Sequence, residues 1–210
     1  DDKDDKAIDI NQVIGKNKAL ISVFPGSRKS EIEVLTPILL EAIKLLNINN
    51  KDITYVFHST KEYSDLIQSY FKKNDLNNCE IISDNEIKNH ILKKSIFAVC
   101  KSGTVSLEIC NAKIPSVILY KMGFINFFIV KMLVKTKFAN IINIAAKEEI
   151  IPELLQSDCN PTNIFNVVSN YLDNPKEMDK QVSQIQSILK NFKTNNLSST
   201  LAANALNKYL

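Results

Sequence analysis

The feature that most restricts this chain's fold is the regular exchange of short apolar runs for longer amphipathic stretches. Residues 19–24, 53–58, 79–82, 96–100 and 116–120 are runs rich in β-branched and aromatic side chains, the pattern of strands buried on both faces. Helical signals separate them. Ser30 and Glu33 have capping-box spacing for a helical turn. Thr36-Pro37 then reads as a second N-cap with Pro at the first helical position, ahead of an apolar face of Ile38, Leu39, Ala42, Ile43 and Leu46. Periodicity predicts further helices over 61–73, 86–93, 104–111 and 124–134, and beyond Pro161 the chain reads as helical over 162–172, 176–191 and 198–209. Strands alternating with helices of this length imply right-handed crossovers and a parallel sheet. The expected architecture is an α/β, Rossmann-like doubly wound parallel sheet over 19–172 with a helical C-terminal tail over 173–210. Residues 1–18, polar and aperiodic, read as a linker or disordered entry.

Composition narrows the function. A formal net charge of +3, with no Arg-rich tract and no interleaving of basic and aromatic residues, gives no footprint for nucleic acid. Cys79, Cys100, Cys110 and Cys159 show no C-x-x-C spacing, and His58 and His90 lie far apart, so no metal site is expected. Each cysteine sits among apolar residues and is expected as a buried free thiol, in keeping with a reducing, cytoplasmic compartment. No signal peptide is expected, and no apolar run reaches bilayer length. The chain opens at Asp1 instead of Met and is expected to be a piece of something longer or a processed product.

Two turns follow strands and carry chemistry. The first is Phe24-Pro25-Gly26-Ser27-Arg28-Lys29-Ser30-Glu31. A small-residue turn at the carboxyl end of a strand lets backbone N–H groups approach an anion. Ser27 adds a hydroxyl, and Arg28 a planar, permanently charged fork suited to phosphate oxygens. Arg28 is the sole arginine of a chain that otherwise uses lysine. The second is Lys101-Ser102-Gly103-Thr104-Val105-Ser106-Leu107-Glu108, again opening a helix. Ser102, Gly103 and Thr104 offer hydroxyls and backbone donors to a diphosphate, and Glu108 lies one turn deeper on the Thr104 face, where a carboxylate accepts the two hydroxyls of a ribose. Read blandly, the same residues are a surface turn and an ordinary helix start. A third stretch, from Lys121 to Lys137, holds four lysines and no acid around Phe124, Phe127, Phe128 and Leu133. It fits equally a helix at an anionic membrane interface and a core helix with snorkelling lysines. His58, at a strand end, is placed either to touch a ligand or to serve as a structural histidine, and the second reading is preferred.

In order along the chain, P-G-S-R-x-S-E-I, S-G-T-x-x-L-E, the Tyr-containing strand at Ile118-Leu119-Tyr120, Leu133-Val134-Lys135 and the P-E-L-L-Q of Pro152 to Gln156 resemble the lipid-A-disaccharide synthase family. The resemblance runs from about Ala19 to Leu172 and implies the C-terminal half of a GT-B glycosyltransferase. In such an enzyme two Rossmann-like domains face a cleft, and this half holds the UDP-sugar donor. The implied reaction inverts the transferred sugar: UDP-2,3-diacylglucosamine donates it to the 6-hydroxyl of 2,3-diacylglucosamine 1-phosphate, giving the β-1,6 lipid A disaccharide 1-phosphate and UDP. By resemblance, Gly26, Ser27, Arg28, Ser102, Gly103 and Thr104 hold the diphosphate, and Arg28 stabilises charge on departing UDP without a metal or other cofactor. Glu108 takes the ribose, and Asn143 and Gln156 contact the donor.

The resemblance further implies that the acceptor site and the general base belong to an N-terminal domain that this chain does not contain, and that the last helices pack toward that domain. The fragment alone is then expected to be inactive, and the enzyme to be peripheral at the inner face of the bacterial inner membrane. The chain departs from the family where Ala146-Lys147-Glu148-Glu149 replaces the usual Ala-Gly-Arg-Glu. Two alternatives stay open. One is a degenerate or non-catalytic UDP-sugar-binding or membrane-surface module. The other is another GT-B enzyme such as a UDP-N-acetylglucosamine 2-epimerase, against which the P-G-S-R turn argues.

Overall fold

The computed structural model describes residues 19–49, 52–121 and 137–192. The entry segment 1–18, the basic aromatic helix expected over 124–134 and the helix expected over 198–209 lie outside the described residues. Six strands, β1 (Ala19–Phe24), β2 (Ile53–His58), β3 (Cys79–Ile82), β4 (Phe97–Lys101), β5 (Ser116–Tyr120) and β6 (Glu153–Leu155), form one parallel sheet in the order 3-2-1-4-5-6. This is the doubly wound order, in which the chain reverses its direction of travel between β1 and β4.

Among the described residues, seven helices flank the sheet: α1 (Lys29–Asn49), α2 (Lys61–Asn74), α3 (Asn85–Lys94), α4 (Val105–Asn111), α5 (Ile141–Ala146), α6 (Pro161–Asp173) and α7 (Pro175–Phe192). Alternation along the strands divides the core. Ile21 and Val23 of β1 join Tyr55, Phe57, Phe97 and Val117 beneath α1, α2 and α6. Phe24, Ala98, Cys100 and Ile118 point the other way, against α4, α5 and α7. All four cysteines are buried free thiols, and burial pushes the Cys79 and Cys110 thiols up to about 12, so they stay protonated at neutral pH.

One expectation is corrected. Thr36-Pro37 does not start a second helix: α1 runs unbroken across Pro37, with Thr36 fully buried in its middle. An interior proline removes one backbone hydrogen bond and costs about 3 kcal/mol. The stripe of Ile32, Leu35, Leu39, Leu40, Ile43 and Leu46, buried on both sides of the proline, offsets that cost, each side chain contributing about 1.5–3 kcal/mol. The helix is also capped from a different residue. Glu31, third after Arg28, reaches back to the Ser27 and Arg28 N–H groups at 3.0 and 3.4 Å, while Glu33 only faces Lys29 at 3.9 Å on the surface.

Two elements escaped the sequence pattern. β6 is three residues long, too short to show a period. α5 is a six-residue helix capped by Asn140 and closed by Lys147 in the left-handed region, φ 57°. That closing position favours glycine, so the family's glycine at this point has a backbone reason, and Lys147 keeps the cap at some conformational cost. α7 packs on the sheet's own domain. Ile185 and Leu189 are buried, and Gln181 pairs with both the N–H and the C=O of Ser116 at 2.7 and 3.1 Å.

Candidate functional site

The crevice at the β1/β4 reversal is where open α/β sheets place their ligands. A cleft of about 280 Å³ opens there, lined by Gly26 and Ser27 from the turn after β1, by Ser102, Gly103 and Thr104 from the turn after β4, and by Glu108 of α4. The two motifs thus meet at the carboxyl rim of neighbouring strands. Arg28, from the same turn as Ser27, is not among the residues that line the cleft: its side chain is 79% exposed and its guanidinium lies 3.6 Å from Glu31. Thr104 precedes α4 without a side-chain capping bond, and Ser102 donates its hydroxyl to the Ala139 carbonyl at 3.3 Å.

Two lining residues, Lys88 and Lys101, were given no role by the sequence. Lys101 ends β4 and ion-pairs with Glu31 at 2.9 Å. Lys88 of α3 holds Glu108 at 2.7 Å, its ammonium 5.8 Å from the centre of the Phe24 ring. Nothing in the pattern of a lysine-rich chain separates Lys88 from the others, and only the fold brings it to the cleft; Lys101 opens the second motif, but its pairing with Glu31 appears only in the fold. Three cations, Arg28, Lys88 and Lys101, face two carboxylates, Glu31 and Glu108. Partial burial alone would raise the Glu31 carboxyl. The Lys101 ammonium and the Ser27 and Arg28 N–H groups outweigh it and hold that carboxyl below its ordinary value. Gly26 makes this approach possible: its φ is +121°, and a Cβ there would stand 2.5 Å from the Glu31 carboxylate and 2.6 Å from the Glu31 Cβ.

The floor of the cleft is a fixed polar chain. Ser95 donates to the Ile91 carbonyl at 3.0 Å, so its oxygen accepts from Ser22 at 2.7 Å. Ser22 in turn accepts from His58 Nε2 at 2.9 Å. This order places the imidazole proton on Nε2 and leaves Nδ1 a bare acceptor, buried without a partner. His58 stacks on Phe24 at 4.2 Å, and burial, with Lys88 nearby, pushes it down to about 3. It is neutral at physiological pH and held by Ser22, and it also lines the cleft.

Asn143 and Gln156 lie elsewhere. Asn143 is fully buried, its amide donating to the Ile151 carbonyl and to Glu153 at 2.7 Å and accepting the Ile150 and Ile151 N–H groups at 2.9 Å. Gln156, at φ 49°, follows β6 and donates its N–H to Tyr120 at 2.8 Å. Neither lines the cleft. Among the described residues, no group of three or more His, Cys, Asp or Glu is placed to hold a metal ion.

The fold and the cleft define a class: a Rossmann-like α/β domain whose switch point gathers small-residue turns and cations suited to a nucleotide's phosphates. The sequence profile of the lipid-A-disaccharide synthetase family matches residues 1–206, and the chain belongs to that family. It is 32% identical over 179 residues to the lipid-A-disaccharide synthase of Persephonella marina, covering 84% of this chain and 47% of that one. It is 34% identical over 192 residues to the synthase of Rickettsia canadensis, covering 90% and 49%. The chain therefore spans about half the length of these relatives. Among solved structures, the UDP-GlcNAc 2-epimerase of Neisseria meningitidis bound to UDP-GlcNAc superposes with a TM-score of 0.58 at 13% identity, covering 82% of this chain and 41% of that one. The C-terminal domain of a group 1 glycosyl transferase from Francisella tularensis gives 0.56 at 14%, covering 86% and 96%. At these identities the likeness is one of fold. Family membership, not the fold, decides against the epimerase alternative.

Proposed function

We propose that this chain is the donor-binding half of a lipid-A-disaccharide synthase, a GT-B enzyme that transfers 2,3-diacylglucosamine from UDP to the 6-hydroxyl of 2,3-diacylglucosamine 1-phosphate. The observation that carries the reading is the convergence of Ser27 and Thr104, from two distant turns, on one cleft at the switch point. Serine and threonine hydroxyls and backbone N–H groups there seat the diphosphate, and Arg28 and Lys101 neutralise it. Negative charge grows on the leaving UDP as the glycosidic bond breaks, and fixed cations at that oxygen lower the barrier without a proton transfer. Glu108, half exposed and steadied by Lys88, keeps a carboxylate oxygen for the ribose hydroxyls.

The acceptor site and the carboxylate that deprotonates the acceptor hydroxyl belong, on this reading, to the N-terminal half found in the full-length relatives. The acyl chains of both substrates call for work at a membrane surface. The Lys121–Lys137 segment, with four lysines and no acid, supports a peripheral position at the anionic inner face of the inner membrane, in the cytoplasm.

Adding UDP to the isotopically labelled chain is expected to move the amide resonances of Ser27, Gly103 and Thr104, and UMP, lacking the second phosphate, to move them less at equal concentration. Binding that leaves all three unmoved would remove the diphosphate assignment.

A further inference from the structure

The Glu31 carboxylate collects the Ser27 N–H at 3.0 Å, the Arg28 N–H at 3.4 Å, the Lys101 ammonium at 2.9 Å and the Arg28 guanidinium at 3.6 Å, with a side chain only 13% exposed. These are the donors that the turn after β1 and the end of β4 would offer a diphosphate. A glycine at 26, in a conformation that side chains avoid, leaves the space the carboxylate needs. We propose that Glu31 is a positioning residue that acts as a built-in counter-anion: it holds the two turns of the cleft together through their donors and yields those donors to the incoming diphosphate. Nucleotide binding is then an exchange of anions and not the filling of bare positive charge. Glu31 competes for the same groups when UDP leaves, so it sets how long the product stays. The inference rests on the donor-half reading and adds to it the residue that tunes nucleotide affinity.

A residue that merely stabilised the turn would weaken anion binding when altered; a competing anion does the opposite. Glu31→Gln keeps an amide oxygen for the Ser27 N–H and removes the charge that neutralises Lys101. Removing one ionised partner at this contact distance is expected to tighten binding of inorganic pyrophosphate and of UDP about tenfold and to slow their dissociation. If UDP binds the wild-type chain and Glu31→Gln binds it equally or more weakly, the exchange is overturned while the donor-half reading stands. If pyrophosphate binds Glu31→Gln more tightly but UDP binds neither protein, the exchange stands and the nucleotide reading falls. If neither ligand binds either protein, both fall.

A second measurement does not depend on the variant folding. In the wild-type chain, pyrophosphate should move the Ser27 and Arg28 amide resonances. It should also shift the Glu31 carboxyl titration, followed by its ¹³C signal, upward toward the ordinary value as the carboxylate loses its donors. A Glu31 carboxyl that titrates unchanged under saturating pyrophosphate would contradict the exchange.

Discussion

His58 makes a sharp test of how single side chains fit this cleft. Its imidazole is neutral and nine-tenths buried, held by Ser22 and stacked on Phe24. Its folded pKa, about 3, lies below its value of 6.5 in an open chain, so the unfolded state takes up the proton first as pH falls. Stability from this group is complete above pH 6.5 and declines below it, by about 2 kcal/mol at pH 5. Urea unfolding at pH 7 and pH 5 should show that loss in the wild-type chain and not in His58→Phe, and equal losses in both would contradict it. Histidine at a strand end is visible in the sequence; the serine relay beneath it is not, because Ser22, His58 and Ser95 meet only through the β1/β2 register and the turn before β4. Arg28 stands out in the sequence as the sole arginine, yet its side chain is largely exposed and does not line the cleft. Lys88, Lys101 and the role of Glu31 were not legible, since their chemistry depends on neighbours distant in sequence or on the exact start of a helix.

Among the elements, the long ones could be read directly and the short ones could not. Five strands and the larger helices announce themselves through periodicity and caps, whereas β6 and α5 are held by side chains reaching to backbone from outside their own span. Asn143 accepts two N–H groups of the 150–151 turn and joins Glu153, which itself takes the Ala139 and Asn140 N–H groups at 2.6 and 2.9 Å. Asn143→Ala leaves those buried donors without partners and is expected to cost about 3 kcal/mol or more. A residue that only touched the donor would lower UDP affinity and leave the melting temperature unchanged, so thermal unfolding and UDP titration of the variant separate the two roles. Lys147 sits in the left-handed closing position of α5, where a side chain costs about 1 kcal/mol relative to glycine. Lys147→Gly should raise the melting temperature by roughly 2–4 °C; an unchanged or lower value would show that Lys147 contributes something the backbone does not account for. The same geometry explains how this departure from the family's Ala-Gly-Arg-Glu is accommodated without loss of the helix end. The proline inside α1 misled the sequence reading because local propensity was outweighed by a buried stripe that continues on both sides of it.

For the molecule as a whole, the decisive property is topological. A sheet ordered 3-2-1-4-5-6 puts the turns after β1 and β4 beside each other, and those are the two turns to which the proposed function assigns the diphosphate. The chain spans about half the length of its curated relatives. Calorimetric titration of UDP into the wild-type chain and into Arg28→Ala tests the account most directly. The Arg28 side chain is largely exposed, so its removal should leave the melting temperature within about a degree and weaken UDP by roughly tenfold or more, the worth of a charge-assisted contact to phosphate. Equal affinity in the two proteins, or no binding to either, would contradict the assignment of this cleft to a nucleotide diphosphate.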